Sequence, residues 1–380
     1  MENEFIVQVS GSFNFDAVRA KKRRSNPVTT PRTIKAVAGA NKMRATKACS
    51  SAVKTALVSS IDGMNAEVLR RLKGNSRISV VACDILDNIQ SGQLREAEVI
   101  FADPPTFAKT DYIDKLETPK LKFFQSTFAG CDAMFKKDRS DYTLCRASGV
   151  MGPEIAQYVL THILAIERKY DLCKESQIKA FWNHKEARYR SHKEVTIGIL
   201  GISGDIGTTI AKFCSTVGFK IVGWQRQGKM VPHVSHTYTS MDDVLARSNY
   251  IVNILPSTEL TRGLLDNQAL SACQNENTAP PVFINVGRGD VVCEESIIEA
   301  LDKRWLGQCV LDVFPVEPLS KDSKLWDRKE VLITPHVAGL GFPDAVADIF
   351  CTNMDLYVNQ REEGKTQFDL NHVFDWEKGY

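Results

Sequence analysis

Three side chains with complementary chemistry follow short apolar runs in the C-terminal half of the chain. They are Arg288 in INVGRG, Glu317 in LDVFPVEP and His336 in LITPHVAG. A histidine can donate or accept the proton that accompanies hydride transfer, and a carboxylate beside it stabilises the imidazolium. An arginine can hold a substrate carboxylate through two hydrogen bonds and polarise the neighbouring carbonyl. Each residue alone has an ordinary structural explanation, but the combination predicts acid–base chemistry on an anionic carbonyl substrate.

A glycine-rich turn predicts a dinucleotide site. The segment VTIGILGISGDIGTTIAKF contains Gly201, Gly204 and Gly207, which allow a sharp turn and the close approach of a pyrophosphate to a helix N-terminus. Gly204 and Gly207 match the last two glycines of the GxGxxG pattern, whereas Gly201 lies one residue early and Ser203 stands between them. The alternative is a strand–helix turn in an unrelated α/β domain.

The end of the next predicted strand indicates which dinucleotide binds. An acidic residue about 20 positions after the glycines would bond the ribose 2′-hydroxyl of NAD. This chain has Gly223-Trp224-Gln225-Arg226 there, without a carboxylate, and Lys229 follows. Because Arg226 can bind a 2′-phosphate through two hydrogen bonds, NADP(H) is the predicted preference and NAD(H) a possible second coenzyme. The alternative is that Arg226 is an ordinary surface arginine.

Apolar runs alternate with helix-length segments along most of the chain, which predicts an α/β fold with parallel sheets. A first series of predicted strands covers residues 55–59, 78–82, 98–102 and 121–125, before a predicted helix at 153–169. A second series, as expected of a doubly wound nucleotide-binding domain, covers residues 195–200, 220–224, 250–255, 282–286, 308–313 and 331–334. Arg288, Glu317 and His336 each follow a strand of this series. Because ligands bind beyond the carboxyl ends of such strands, the three side chains are expected at one edge.

The composition excludes several classes of protein. The chain has 380 residues, 43% of them hydrophobic and 25% charged, which is typical of a globular protein of two domains with an extension. No apolar run approaches the ~18 residues of a transmembrane helix. The ten cysteines form no CxxC pair, so neither a zinc ribbon nor a thioredoxin-type site is predicted, and reduced thiols in the cytoplasm are expected.

Basic residues are concentrated in the first 50 positions, which carry ten Lys/Arg and three Asp/Glu. Because the whole chain has a net charge of +2, the remainder is mildly acidic, and we do not expect it to bind nucleic acid. Residues 1–50 have the composition of a disordered extension. Their KKRR cluster at 21–24 is compatible with a solubilising role, with nuclear import or with polyanion binding, so nuclear and mitochondrial locations stay open beside the cytoplasm.

Two other groups of reactive residues are expected to have no catalytic or metal-binding role. His233 and His236 have HxxH spacing, but they fall in a predicted loop without acidic or cysteine partners, and two ligands are too few for a metal site. Cys131 lies in the segment LKFFQSTFAGCD, yet the sequence places no base next to it, and hydride transfer needs no covalent intermediate. No metal is therefore predicted.

The chain from about residue 54 onwards resembles the D-isomer-specific 2-hydroxyacid dehydrogenases. The segments that carry the resemblance are INVGRGDVV, LDVFPVEPL, SKLWDRKEVLITPHVAG and the final GY. LKFFQSTFAGCD and the segment Gly223-Trp224-Gln225-Arg226 are similar to the glyoxylate/hydroxypyruvate reductase branch. The resemblance implies two doubly wound parallel-sheet domains: a flavodoxin-like substrate domain at 51–150, completed by 337–380, and a Rossmann dinucleotide domain at 151–336. It also implies NADPH-dependent reduction of a small 2-oxoacid to the D-2-hydroxyacid, with a homodimer as the expected assembly.

The resemblance assigns roles to individual positions. It places Arg288, Glu317 and His336 in the catalytic positions, with Arg288 also binding substrate beside the backbone of Ala129 and Gly130. The cofactor-binding positions that it implies are Ser203, Gly204, Asp205, Ile206, Gly207, Gln225, Arg226, Pro256, Ser257, Thr261, Val286, Gly287, Asp312 and Gly339.

Two other functions remain open on the sequence. The same family contains an NAD(H)-binding corepressor branch, and the basic KKRR cluster would suit a nuclear protein. Phosphoglycerate dehydrogenase is a rival within the enzymes. The resemblance of the substrate loop favours a glyoxylate or hydroxypyruvate reductase over both, and it also disfavours formate dehydrogenase.

Overall fold

The structure, a computed structural model, describes residues 52–83, 91–108, 117–136, 141–274, 279–377 and 379. The predicted extension at 1–50 therefore lies outside the described residues. In chain order the first elements are β1 (Val53–Val58), α1 (Met64–Leu72), β2 (Ile78–Cys83), α2 (Ser91–Glu96), β3 (Val99–Ala102), α3 (Pro104–Phe107), β4 (Phe123–Ser126), β5 (Thr143–Cys145), α4 (Gly152–Glu167) and α5 (Tyr170–Ile178). The later elements are β6 (Thr196–Leu200), α6 (Asp205–Thr216), β7 (Lys220–Trp224), β8 (His236–Tyr238), α7 (Met241–Leu245), β9 (Tyr250–Asn253), β10 (Val282–Asn285), α8 (Glu294–Asp302), β11 (Gln308–Leu311), β12 (Val331–Ile333) and α9 (Pro343–Glu362).

The strands form two parallel sheets. Among the described residues the first sheet has the order β2-β1-β3-β4-β5 and the second the order β12-β11-β10-β9-β6-β7-β8. The first is the flavodoxin-like order, and the second is the Rossmann order extended by one strand. The predicted fold class, two doubly wound parallel-sheet domains, is confirmed. Because each sheet is parallel throughout, all of its strands end at the same edge, where the loops can converge on a ligand.

Alternate side chains of the strands pack on opposite faces of each sheet. In the first sheet, Phe101 and Phe123 pack against α9, and the rings of Phe101 and Phe350 lie 4.8 Å apart. The opposite face buries Ile100 and Phe124. In the second sheet, the branched residues of β6, β7 and β9 pack on α4 and α6 on one face and on α7 and α8 on the other. Such burial on both faces explains why these strands are continuous apolar runs in the sequence.

The edge strands β5 and β8 were not predicted from the sequence. Because β8 was missed, the prediction that His236 lies in a loop was wrong. β5 and β8 each have only three residues, and their sequences, TLC and HTY, carry no apolar run. Both form by pairing with a stronger neighbour, β5 with β4 and β8 with β7. His236, expected in a loop with His233, therefore begins strand β8 instead.

The C-terminal segment returns to the first sheet. Beyond α9, the Phe374 amide donates to the Leu144 carbonyl at 2.7 Å, and the Arg146 amide donates to the His372 carbonyl at 2.9 Å. These bonds cover the exposed edge of β5 with an antiparallel bridge between Cys145 and Val373. Residues Ala48–Tyr380 form one compact unit that contains both sheets, so the domain boundaries at 150 and 336 stay predictions.

Candidate functional site

The loop after β12 is fixed by a buried carboxylate that follows β11. Asp312 is 1% exposed. Its carboxylate accepts from the Thr334 hydroxyl at 2.6 Å and from the amides of Val337 and Ala338 at 2.8 and 2.9 Å. Its backbone carbonyl accepts from the His336 amide at 2.9 Å. Because a buried carboxylate with several donors is costly to displace, the backbone on both sides of His336 is held firmly.

His336 occupies an uncommon backbone conformation, with φ of 55°. Non-glycine residues in this left-handed region are uncommon and cluster at functional sites. The imidazole Nδ1 lies 2.7 Å from Glu317 Oε2, and the other carboxylate oxygen accepts from the Phe314 amide at 2.9 Å. Since a carboxylate accepts a hydrogen bond, Nδ1 carries a proton, and the exchangeable position of the ring is Nε2.

The hydrogen bond between His336 and Glu317 shifts the pKa of both side chains. The hydrogen bond to Glu317 raises the pKa of His336, and burial and the charge of Arg288 oppose this rise only in part. Burial raises the pKa of Glu317, but the bonds from His336 and the Phe314 amide outweigh it, so that this pKa lies below its usual value. The arrangement favours an imidazolium beside an ionised carboxylate. The imidazolium of His336 can therefore donate a proton near neutral pH.

Arg288 stands between two glycines that allow the chain to pass through a narrow space. A Cβ on Gly287 would lie 2.8 Å from the backbone of Ile254, and one on Gly289 would collide with the backbone of Phe314. Phe314 is also the residue whose amide bonds Glu317. The close approach of these loops therefore brings the arginine to the histidine–glutamate pair, and the charge of Arg288 acts on His336.

The side chain of Arg288 reaches across to the first sheet. Its Nε donates to Asp132 Oδ2 at 2.7 Å, and Nη1 donates to the Gly287 carbonyl at 2.8 Å. Nη2 lies so close to Gly130 that a Cβ at this position would collide with it. The guanidinium and the backbone of Ala129 and Gly130 therefore face one another at the meeting point of the two sheets.

The predicted substrate loop is anchored by a second buried carboxylate. Asp103, 2% exposed, follows β3. It accepts from the Ser59 hydroxyl at 2.7 Å, from the Ser60 amide and hydroxyl at 2.7 and 2.8 Å, and from the Thr127 hydroxyl at 2.6 Å. Asp103 thus ties together the loops that follow β1, β3 and β4. The two residues predicted to contact the substrate carboxylate, Ala129 and Gly130, come two and three positions after Thr127 in the chain.

The three glycines after β6 form a tight strand–helix turn. Gly201 has φ of 100°, which L side chains rarely adopt. Gly204 precedes α6, and a Cβ on Gly207 would lie 2.6 Å from the Gly201 carbonyl oxygen and 2.9 Å from Ile202 Cα. Gly201 therefore makes the sharp turn, and Gly207 allows close packing of helix against strand. The early position of Gly201 is compatible with both roles.

The first turn of α6, where the pyrophosphate is predicted to bind, has backbone amides without a hydrogen-bond partner among the described residues. Ser203 and Asp205 are exposed, and Ile206 is half-buried. Within the described residues the amides of Asp205 and Ile206 make no hydrogen bond, as is usual for the first turn of a helix. Open donors at a helix N-terminus can bind a phosphate, so this turn fits a dinucleotide.

The loop after β7 presents two cations to solvent. Gln225 is buried, with its amide bonded to the Tyr238 carbonyl at 3.1 Å and its side chain bonded to the Lys229 carbonyl. Arg226 and Lys229 are exposed. In the part of the chain that the structure describes, neither side chain makes an ion pair or hydrogen bond. Their charges are therefore available to a ligand.

The remaining predicted cofactor positions line the same edge of the second sheet. The Thr261 hydroxyl donates to the Pro256 carbonyl at 2.5 Å, within the loop after β9. The Ser257 hydroxyl donates to Asp290 Oδ2 at 2.5 Å and so joins this loop to the segment after β10. Val286 continues β10. A Cβ on Gly339 would lie 2.6 Å from Ile155 of α4, which gives this glycine a packing role as well.

The structure thus brings Arg288, Glu317 and His336 together. It also shows two carboxylates, those of Asp103 and Asp132, that were not identified from the sequence. The signal for Asp103 was an acidic residue followed by two prolines at the end of a predicted strand. Asp132 was within the quoted segment LKFFQSTFAGCD, but nothing local indicates its partner, which is 156 residues away.

The described residues contain neither a candidate metal site nor a candidate membrane-spanning helix. No group of three or more His, Cys, Asp and Glu side chains is placed to hold a metal ion there. No helix in the described ranges is long and apolar enough to cross a membrane.

Comparison with known proteins agrees with this geometry. Residues 160–338 match the family model described as D-isomer specific 2-hydroxyacid dehydrogenase, NAD binding domain. A glyoxylate/hydroxypyruvate reductase A from Photorhabdus laumondii is 30% identical over 206 residues. That match covers 54% of this chain and 64% of the relative, so the chain spans just under two thirds of the relative's length.

Solved structures match over a greater length. A D-isomer specific 2-hydroxyacid dehydrogenase family protein from Aeromonas salmonicida is 31% identical with a TM-score of 0.73, and the match covers 85% of this chain and 99% of that one. An NADPH-dependent glyoxylate/hydroxypyruvate reductase from Sinorhizobium meliloti, solved with NADP and sulfate, is 28% identical with a TM-score of 0.71. That match covers 86% of this chain and 100% of the other.

Proposed function

This chain belongs to the D-isomer specific 2-hydroxyacid dehydrogenase family, and we propose on that premise that it reduces a small 2-oxoacid with NADPH. Glyoxylate and hydroxypyruvate are the proposed substrates, and the product is the 2-hydroxyacid, in the D form where it is chiral. The observation that carries the proposal is the 2.7 Å contact between His336 and Glu317 beside Arg288. Relatives named glyoxylate/hydroxypyruvate reductase support the choice of substrate.

The residues that would hold the coenzyme fit a dinucleotide phosphate. The tight turn at Gly201 and the open amides of Asp205 and Ile206 suit a pyrophosphate. The exposed cations Arg226 and Lys229, with no carboxylate at the end of β7, favour NADP(H) over NAD(H). The Sinorhizobium relative was solved with NADP. When bound, NADPH supplies the hydride that the carbonyl carbon of the substrate accepts.

The chain's own residues perform the other half of the reaction. Arg288 binds the substrate carboxylate together with the backbone of Ala129 and Gly130, and its charge stabilises the negative charge that develops on the carbonyl oxygen. His336 donates the proton on Nε2 to that oxygen, and Glu317 holds the ring by Nδ1 and stabilises the imidazolium. In the reverse direction the neutral ring accepts the proton.

The proposal is tested by NADPH and NADH oxidation with glyoxylate, hydroxypyruvate, pyruvate and 3-phosphohydroxypyruvate. We expect turnover with glyoxylate or hydroxypyruvate and a higher kcat/KM with NADPH. A preference for 3-phosphohydroxypyruvate would instead identify a phosphoglycerate dehydrogenase. Coenzyme binding without turnover on any of the four would support the corepressor alternative. The homodimer and the cytoplasmic location are part of the same proposal.

A further inference from the structure

The ion pair between Asp132 and Arg288 joins the two sheets at the proposed substrate site. Asp132 follows β4 and begins a 3-10 helix, Asp132–Lys136, whereas Arg288 follows β10. We propose that Asp132 is a positioning residue, which holds the guanidinium of Arg288 in the orientation that binds the substrate carboxylate. This inference rests on the proposed function and adds a residue to which no role was assigned.

The hydrogen bonds of the guanidinium carry the argument. Nε is bonded to Asp132 at 2.7 Å and Nη1 to the Gly287 carbonyl at 2.8 Å, so two of its three nitrogens are fixed. Since the guanidinium is planar, two fixed nitrogens set the direction of the third. Nη2 then lies against Gly130, where a Cβ would collide with it. Within the described residues Nη2 makes no hydrogen bond, so its donors remain for a ligand.

The alternative is that Asp132 occupies the place of the substrate carboxylate and must be displaced. The geometry favours positioning, because Asp132 accepts only from Nε of the guanidinium. Nη2 lies beside Nε on the same edge, but within the described residues it makes no hydrogen bond to Asp132. Its N–H groups can therefore bind a substrate carboxylate while the ion pair stays intact. The side chains of Arg288 and Asp132 are 29% and 34% exposed, so solvent weakens the pair only in part.

The test is a double-mutant cycle on the full chain with Asp132→Ala and Arg288→Ala. In the wild-type background, Asp132→Ala should lower kcat/KM for the 2-oxoacid between about 10- and 100-fold, since a misdirected guanidinium misplaces the substrate. Asp132→Asn should lose less, because its amide oxygen still accepts from Nε. In the Arg288→Ala background, Asp132→Ala should cause no further loss. The dissociation constant of NADPH should be the same in all variants.

A second measurement keeps the inference separate from the proposed function. Calorimetric binding of glyoxylate to the complex with NADP⁺ reports on Arg288 even if turnover is absent. We expect Asp132→Ala to weaken this binding and the exposed control Asp62→Ala to leave it unchanged. An equal loss of kcat/KM in the Arg288→Ala background, or tighter glyoxylate binding by Asp132→Ala, would overturn the positioning role. Turnover failing in the wild type while glyoxylate binding still depends on Asp132 would overturn only the proposed function.

Discussion

At the scale of single residues, the site depends on which nitrogen of His336 is free. Glu317 binds Nδ1 at 2.7 Å, and the amide of Phe314 fixes the other oxygen of Glu317 at 2.9 Å. The ring therefore cannot rotate without breaking a charge-assisted hydrogen bond. Its backbone, with φ of 55°, is held by the bonds to Asp312 rather than by its own preference. Together these contacts aim Nε2 at one position, as general acid catalysis requires.

Glu317→Gln should move the pH dependence of reduction. The carboxylate raises the pKa of His336, so its loss lowers that pKa towards the ordinary value. Reduction needs the protonated ring, and the alkaline limb of the kcat/KM profile should therefore shift to lower pH. The measurement is the rate of NADPH oxidation between pH 5 and pH 10. Asp322→Asn, the same neutralisation at an exposed position nearby in the chain, should leave the limb in place; a limb that stays put in Glu317→Gln would contradict the assignment.

Arg226→Asp should reverse or abolish the preference for NADPH. An aspartate there repels the 2′-phosphate and can bond the 2′-hydroxyl of NADH. The quantity to measure is the ratio of kcat/KM for the two coenzymes at one substrate concentration. Lys329→Asp makes the same charge change at the opposite edge of the second sheet, just before β12, and should leave the ratio as in the wild type. If Arg226→Asp also left it unchanged, Arg226 would not be the selecting residue.

Sequence reasoning located residues whose type and local motif are distinctive, and it missed those defined by distant partners. His336, Glu317 and Arg288 could be found because each follows an apolar run within a recognisable motif. Asp132 could not be connected to Arg288, because their contact depends on how two separate sheets meet. The positive φ of His336 was equally inaccessible, since Asp312, not the local sequence, imposes it.

At the scale of elements, the buried strands were predictable and the edge strands were not. β9 and β10 are buried on both faces, so their sequences are almost wholly apolar. β5 and β8 exist because β4 and β7 offer unpaired backbone groups, and almost any short segment can satisfy these. The strand predicted at 250–255 ends at Asn253, where the chain leaves the sheet to form the loop with Ser257 and Thr261.

Asp103→Asn should weaken the first sheet and the substrate loop together. The carboxylate accepts four hydrogen bonds from two other loops, and an amide can accept only at one atom, so two donors lose their partner. We expect the free energy of unfolding to fall by about 1–3 kcal/mol. The KM for the 2-oxoacid should rise while the KM for NADPH stays constant, because the coenzyme binds at the second sheet.

The matched control for this change is Asp62→Asn. Asp62 is exposed and lies in the same loop after β1, but its side chain makes no hydrogen bond within the described ranges. Urea unfolding and steady-state kinetics of both variants measure the two effects. If Asp103→Asn were as stable and as active as Asp62→Asn, the four hydrogen bonds that Asp103 accepts would not position the substrate loop.

At the scale of the whole molecule, one group of apolar side chains would remain exposed to water if the protein were a monomer. Ile178, Phe181 and Trp182, at the end of α5 and just beyond it, are 82%, 61% and 91% exposed. Neighbouring exposed apolar side chains on this scale mark an interaction site. We expect this surface to contribute to the proposed homodimer. At micromolar concentration the full chain should sediment as a dimer.

Trp182→Asp should shift the sedimentation equilibrium towards the monomer. Val217→Asp, a charge introduced at an exposed apolar residue after α6, serves as the control and should leave the dimer intact. A wild-type monomer at micromolar concentration would contradict the dimer. A dimer unaffected by Trp182→Asp would place its interface elsewhere.

The central claim is that a protonated His336 delivers the proton in an NADPH-dependent reduction, and the turnover of His336→Ala tests it most directly. With saturating NADPH and 2-oxoacid at neutral pH, kcat should fall about 10²–10⁴-fold, the usual contribution of a general acid. The dissociation constant of NADPH should remain that of the wild type, because other residues make the proposed contacts with the coenzyme. Near wild-type turnover in His336→Ala would contradict the account.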